Sequence, residues 1–312
     1  MKRLKVRPVC ERLGHSRQSF YSMRRVRRRK AVDERLVIDV VVQVRAVHPR
    51  CGTRKLLKYT RDALARAGAA IGRDRLFELL RKHDMLVKRR KAFVPRTTHF
   101  DDSLPLSRNL VAGRVFDAPN QVFVADITYI RCRDRFLYLT LITDLFSKDI
   151  VGWHLSEDLS AGGCLKALEM AHMIVPPGAK VIFHSDRGCQ FASREFRAGL
   201  EGFGMLSSMT EELHCYENSV AERVNGILKQ EYYLDVEFRG RDDALEAVGR
   251  VIKVYNTLRV HDSLGGIVPA EARRAPELAR PFVVAIQEAA IARAEERRAK
   301  VSASLAASEV AA

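Results

Sequence analysis

Gln121-Val-Phe-Val-Ala-Asp126-Ile-Thr-Tyr-Ile130 carries one acid in an otherwise apolar run of β-branched and aromatic residues. Such a run specifies a strand, and a lone carboxylate within it has no packing reason to be there. Residues 136–146 and 149–155 repeat the composition after short polar breaks, as hairpin-linked strands do. Downstream the pattern alternates: helix-like Ala161 to Ile174, strand-like Val181 to His184, helix-like Ser193 to Gly202 and a short strand from Leu206 to Met209. Three adjacent strands followed by alternating helices and strands predict an α/β fold, a mixed sheet with helices packed on it.

Two further acids stand in comparable settings. Asp186 closes Lys180-Val-Ile-Phe-His-Ser-Asp186 and opens onto Arg187-Gly188. Glu222 follows after 35 intervening residues, inside Tyr216-Glu-Asn-Ser-Val-Ala-Glu222-Arg-Val-Asn-Gly-Ile-Leu-Lys229, which reads as a helix. Hard divalent cations such as Mg²⁺ take oxygen ligands and keep several waters, so a few carboxylates suffice where a substrate phosphate supplies the other oxygens. Two such ions can serve the attacking and the leaving oxygen of one displacement. Asp126, Asp186 and Glu222 are therefore the candidate catalytic and metal-binding residues, provided that their elements are neighbours. Taken singly each has a plainer reading, since Asp144 and Asp149 lie in similar strands and mark turns.

Positions 218, 222, 225 and 229 follow the spacing of one helix face, which aligns Asn218, Glu222, Asn225 and Lys229. Val220, Val224, Ile227 and Leu228 supply an apolar surface for packing on the sheet, aiming the polar row at a cleft. Lys229 is placed to reach a phosphate near the metals, and His184 is a second candidate for such a contact. Read alone, the helix is equally an ordinary surface element with a solvated Glu and Lys.

The chain has 312 residues, 47% hydrophobic and 29% charged, enough for one full core and a smaller second domain. Its formal charge of +16 is unevenly placed. Residues 1–100 carry 29 Lys/Arg against 8 Asp/Glu, a surplus of +21, and residues 101–312 carry 25 against 30, a net of −5. The asymmetry points to a polyanion held by the N-terminal part, nucleic acid rather than membrane; a solvated basic surface is the plainer alternative. The six cysteines, at 10, 51, 132, 164, 189 and 215, form no Cys-x-x-Cys pair. They read as reduced thiols without zinc spacing. With no apolar run of about 18 residues and no signal peptide, the expected location is the cytoplasm.

Residues 5–25 outline two short helices, Lys5 to Leu13 and a second one capped by Ser16. The cluster Arg24-Arg-Val-Arg-Arg-Arg-Lys30 follows, suited to phosphate without reading sequence. A second helical region runs from Asp33 to about Arg90, broken at His48–Gly52 and Gly68–Gly72. Between Arg73 and Lys82 the residues Leu76, Phe77, Leu79 and Leu80 form one stripe and leave Arg73, Arg75, Arg81 and Lys82 on other faces. A helix of this kind can enter a major groove. With Lys88, Arg89 and Arg90 these are the candidate DNA-binding residues, although a helix with solvated arginines has the same pattern. Residues 88–120, with Pro95, Pro105 and Pro119 and no sustained period, read as a linker. Helices are expected to about Tyr233, from Arg241 to Tyr255, and from Ala285 as a peripheral helix with a frayed tail.

Taken together, Asp126-Ile-Thr-Tyr-Ile, His184-Ser-Asp186-Arg-Gly-Cys-Gln-Phe, the stretch Tyr216 to Lys229 and Tyr255-Asn-Thr-Leu-Arg-Val-His261 resemble the integrase core of bacterial insertion-sequence transposases of the IS-three family. The match spans roughly residues 35–275. It implies a ribonuclease-H-like core, a DDE triad of Asp126, Asp186 and Glu222, and DNA strand transfer that depends on Mg²⁺, with Mn²⁺ as a substitute and two ions in the site. It recasts the segment from about Pro49 to Arg90 as the family's helix-turn-helix domain. Phe123, Cys189 and Phe191 stand where the family commonly has Trp, Ser and Tyr, and none of these departures removes a ligand. The resemblance further implies a homo-oligomer on paired DNA ends, and the product of an upstream reading frame as a partner.

The expected division is a basic helical segment at 1–30, a helix-turn-helix DNA-binding domain at 31–92, a linker at 93–118, the ribonuclease-H-like core at 119–280 and a helical, frayed tail at 281–312. The expected function is a DNA transposase that binds the ends of an insertion sequence, nicks them and transfers the strand. A catalytically silent DNA-binding regulator descended from a transposase is the rival reading, and a plain nuclease on the same fold is a third.

Overall fold

The computed structural model describes residues 6–88, 106–211 and 218–310, excepting the side chains of 27–32 and 298–310. The chain divides into two compact units, residues 1–91 and 92–312.

The first unit is helical: α1 (Val6–Arg12), α2 (Arg17–Val47), α3 (Thr53–Arg66) and α4 (Arg73–Lys82). Ser16 caps α2, its hydroxyl accepting from the Ser19 amide at 3.0 Å. Gly52 and Gly72, both extended, precede α3 and α4, so the two breaks fall where the sequence puts them. The boundary expected at residue 30 does not appear, because α2 continues unbroken through it. Arginine, lysine and alanine there favour helix and no glycine or proline interrupts it. Val41, Leu56, Leu64, Leu76 and Leu80 centre the core of this unit. Phe77, expected in the same stripe, is 37% exposed: it sits one residue, or about 100° of helix rotation, from Leu76 and falls off the buried face.

The second unit is built on a six-stranded mixed sheet of β1 (Val122–Cys132), β2 (Phe136–Asp144), β3 (Ile150–Ser156), β4 (Ile182–Ser185), β5 (Leu206–Met209) and β6 (Glu237–Phe238). Its order is β3-β2-β1-β4-β5, with β6 pairing the end of β1. The first three strands form an antiparallel meander, and β4 and β5 add in parallel. Period-2 alternation separates the two faces of the sheet. Ile130, Leu137, Leu139 and Leu141 pack on one side against α8 (Ser219–Tyr232) and α9 (Arg241–Leu258). Phe123, Ala125, Ile142 and Phe183 pack on the other against α5 (Ala161–His172), α6 (Cys189–Ala192) and α7 (Arg194–Gly202). Gly152 lets α5 lie close on β3, since a Cβ there would collide with the Ala167 carbonyl.

Two peripheral expectations change. Of the linker, the described part, 106–118, is laid on the core: Leu110 N–H donates to Ser208 Oγ at 2.9 Å, Ser107 and Ser207 hydroxyls meet at 2.8 Å, and Phe116 is buried with Val122, Val124 and Ile182. The segment lacks a period because side chains, not a ladder, satisfy its backbone. The C-terminal helix, after α10 (Pro269–Arg274), begins at Pro276 rather than Ala285 and stays helical to Val310 as α11. Ala279 and Val283 bury against Phe146 and Leu264, and Gln287 exchanges two hydrogen bonds with the Phe116 backbone. The boundary expected at residue 281 thus falls inside a docked helix. Cys10, Cys51, Cys132, Cys164 and Cys189 are free thiols, and Cys215 lies outside the described residues. Among the described residues no helix is long and apolar enough to cross a membrane.

Candidate active site

Asp126 and Asp186 are brought together by strand pairing. Parallel strands β1 and β4 align Ala125 with Ser185, so each acid stands one residue beyond the same rung. Neighbouring strands run about 4.8 Å apart. Asp126 lies within β1, not at its end, and its even number places it on the face that α8 covers. Its Oδ1 accepts from the Ile127 amide at 2.9 Å and its Oδ2 from Asn225 Nδ2 at 2.7 Å. Asp186 Oδ1 accepts from the Gly188 amide at 3.1 Å, and Arg187 Nε, bonded to the Thr210 carbonyl at 2.7 Å, holds the turn against the end of β5. A small cavity of about 40 Å³ opens beside the two aspartates, lined also by Thr128, Tyr129, Tyr138 and Gln190.

The polar face of α8 lies along β1. Asn218 Nδ2 donates to the Ala125 carbonyl at 2.9 Å, Asn225 reaches Asp126, and Lys229 Nζ sits 3.7 Å from the centre of the Tyr129 ring. Val224, Ile227 and Leu228 pack into the core beside it, as the spacing predicts. The row is not simply aimed at a cleft, however, because Asn218 and Asn225 are buried against the strand. Glu222 keeps an exposed side chain at the edge of this contact.

The charges are coupled. Asp126 retains some accessible surface, but the protein packed round it, and then the charge of Asp186, push its carboxyl up to about 7, with Glu222 adding to the rise. The bonds from Asn225 and Ile127 act in the opposite sense. Partial desolvation and then Asp186 raise Glu222 as well. Burial brings the Lys229 ammonium down to about 8 against the pull of Asp126 and Asp235. Asp186 thus disfavours the ionisation of both Asp126 and Glu222, and three carboxyl groups in this setting, all hard oxygen donors, suit a divalent cation, which reverses such penalties. Among the described residues no three His, Cys, Asp or Glu side chains already converge on one point as metal ligands do.

His184 does not belong to this site. It lies in β4 with Nδ1 2.9 Å from Ser208 Oγ; alternation puts it on the same strand face as Asp186, but it is fully buried there and presents no surface to a phosphate. In the first unit Arg73 pairs with Asp74, Arg81 with Glu78, Lys82 with Glu34 at 2.7 Å and Lys88 with Asp84. Arg81 also lies over the exposed Phe77 ring, 4.9 Å from its centre. Arg75 is exposed, beside a cavity that Asp33 and Glu34 also line. Arg89 and Arg90 lie outside the described residues. Asn225 and Asn218 are the site residues that the sequence names only as members of a helix face; nothing in their spacing shows which strand atoms they meet.

Residues 117–215 match the integrase core domain family, and residues 204–269 match a second integrase core domain family. The chain is 28% identical over 268 residues to the transposase InsF for insertion sequence IS3A of Escherichia coli strain K12, covering 85% of this chain and 93% of that one. It is 35% identical over 270 residues to the insertion element IS600 uncharacterized 31 kDa protein of Shigella sonnei, covering 85% of this chain and 97% of that one. The chain belongs to the IS3 family of transposases. As a member of this family it is a polynucleotidyl transferase. The transposase carries a ribonuclease-H-like mixed sheet flanked by helices, with a helical region before it. It also aligns with the HTLV-2 integrase catalytic core domain solved in complex with magnesium, at 20% identity and a TM-score of 0.40, over 51% of the transposase and 98% of that chain.

Proposed function

We propose that Asp126, Asp186 and Glu222 are a DDE triad that holds divalent cations, Mg²⁺ first and Mn²⁺ as a substitute, and that the enzyme uses it to nick insertion-sequence ends and transfer the freed strand. The observation that carries the reading is the setting of Asp126, a half-buried carboxyl on β1 whose ionised form is disfavoured by its surroundings and by Asp186. Bound there as a pair, the ions would polarise the scissile phosphodiester and activate the attacking oxygen.

The residues of this chain orient and hold. Asn225 and the Ile127 amide fix the two oxygens of Asp126, and the Gly188 amide fixes one of Asp186. Lys229, beside Asp126, offers its ammonium to a phosphate oxygen. Water attacks phosphorus, the P–O3′ bond breaks, and the leaving 3′ oxygen takes up a proton. That 3′-hydroxyl then attacks a second phosphodiester in line, joining one strand and releasing another, without a covalent protein intermediate.

In this reading the basic first unit grips the element ends, and Arg73, Arg75, Arg81, Lys82 and Lys88 are its candidate phosphate contacts. The enzyme works in the bacterial cytoplasm at the nucleoid, as a homo-oligomer on paired ends, with an upstream-frame product as a further partner. Cleavage of oligonucleotides from the flanks of the gene, with Mg²⁺, tests the proposal. Asp126→Asn, Asp186→Asn and Glu222→Gln are expected to cut at least 100-fold more slowly while binding the same DNA, a loss typical of removing one essential group. Undiminished cleavage by all three sinks the triad, and specific binding without cleavage by the wild-type chain favours the silent regulator.

A further inference from the structure

The segment Tyr255 to His261 closes α9 and contributes no acid to the site, yet it is tied to the helix that carries Glu222. Arg259 is 2% exposed. Its guanidinium grips Glu231 of α8 by two parallel bonds, Nε to Oε2 and Nη2 to Oε1, each 2.9 Å. Its Nη1 lies 2.7 Å from His261 Nε2. Because guanidinium has no acceptor, that ring nitrogen accepts, which keeps His261 neutral with its proton on Nδ1. The Tyr255 ring meets His261 edge-on at 5.2 Å.

An ion pair so enclosed costs desolvation and adds little net stability. Its distinctive product is geometry, since a planar fork on a planar carboxylate fixes distance and orientation together. The apolar contacts of Val224, Ile227 and Leu228 hold α8 on the sheet but are non-directional and do not select its axial position. Glu231 lies nine residues beyond Glu222, about 13.5 Å along the helix. At the other end of α8, Asn218 is bonded to the Ala125 carbonyl. The helix is pinned at both ends, and Glu222 stands between the pins.

We propose that Arg259 and Glu231 are positioning residues for Glu222: their fork ties α8 to the end of α9, which packs on the same face of the sheet, and so fixes the axial register of α8 and with it the reach of Glu222 towards Asp126 and Asp186. The inference rests on reading the three acids as a divalent-cation site.

Mn²⁺ binding to the full chain without DNA, followed by loss of the free-ion electron paramagnetic resonance signal, tests it. Arg259→Gln and Glu231→Gln are expected to raise the Mn²⁺ dissociation constant about tenfold, as loss of an outer support of a metal ligand does. Arg259→Lys should fall between, and in a Glu222→Gln background Arg259→Gln should add nothing. Circular dichroism melting checks the fold, and if Arg259→Gln does not fold, Glu231→Gln and Arg259→Lys decide. Wild-type affinity in the Arg259 and Glu231 variants, or an undiminished effect without Glu222, overturns the positioning role alone. Mn²⁺ binding that is indifferent to Asp126→Asn and Glu222→Gln overturns the acid-site reading, and this inference with it.

Discussion

Asn225 of α8 donates to Asp126 of β1 across 2.7 Å, and of the influences on that carboxyl it is the strongest that favours charge. Removing it in Asn225→Ala raises the Asp126 pKa further above about 7. The acid limb of the pH–rate profile should move to higher pH, with activity down about tenfold at pH 7 and a smaller deficit at pH 9, in line with one lost charge-assisted bond. An unmoved acid limb would show that the bond does not tune the reaction.

Asp126 also weakens the metal-free fold. Its folded pKa, about 7, lies above the unfolded value, so the folded state binds the extra proton and stability falls as pH rises towards and through 7. Asp126→Asn is therefore expected to stabilise the metal-free protein by about 2 kcal/mol at pH 8 and by much less at pH 5, where the carboxyl is protonated. Urea denaturation at both pH values measures this. A variant less stable than wild type at pH 8 contradicts the desolvation argument.

Cation affinity should depend on pH in the opposite direction. Below about 7 a bound cation must displace the proton of Asp126, so affinity should drop about tenfold per pH unit there and level off above it. Calorimetry in buffers of different ionisation heat will register the released proton. Affinity that is flat from pH 6 to pH 8 excludes Asp126 as a ligand.

Lys229, lowered to about 8, loses its charge as pH climbs past that value. Strand cleavage should decline on the alkaline side in wild type, the decline should vanish in Lys229→Arg, which stays charged, and Lys229→Met should be slow at every pH. An alkaline limb retained by the arginine variant assigns that limb elsewhere.

The first unit should show the signature of phosphate contacts. Arg73→Ala, Arg75→Ala and Arg81→Ala are each expected to lower the salt dependence of binding, the slope of log K against log salt, by about one. Lys82→Ala should do less, since Lys82 is held at 2.7 Å by Glu34, a half-buried carboxylate on α2, whereas Asp74 and Glu78, the partners of Arg73 and Arg81, are exposed neighbours on α4 itself. Slopes unchanged in all four variants remove α4 from the DNA interface.

Local chemistry accounts for what was readable beforehand. The β1 to β3 meander follows from runs too apolar and β-branched to be anything but strands, and the one-sided polarity of α8 follows from spacing alone. Segments without a period are the least legible in sequence. Residues 106–118 and the first turns of α11 are set by partners far along the chain, Ser208 for Leu110 and Gln287 for Phe116. His184 and Phe77 fail for a related reason: whether a residue near a motif faces solvent or core depends on what packs over it, and sequence distance carries no record of that.

By itself the sequence determined the kinds of element and the family to which its motifs belong, and singled out the three acids as candidates, because propensity, periodicity and motif spacing act over a few neighbouring residues. Only the tertiary structure decided that Asp126 and Asp186 each follow the same rung, that Asn225 bonds one of them, and that Arg259 pairs with Glu231 on the helix bearing Glu222. Those relations join residues 28 to 99 positions apart, where strand pairing and desolvation, rather than local conformation, set the geometry and the charge.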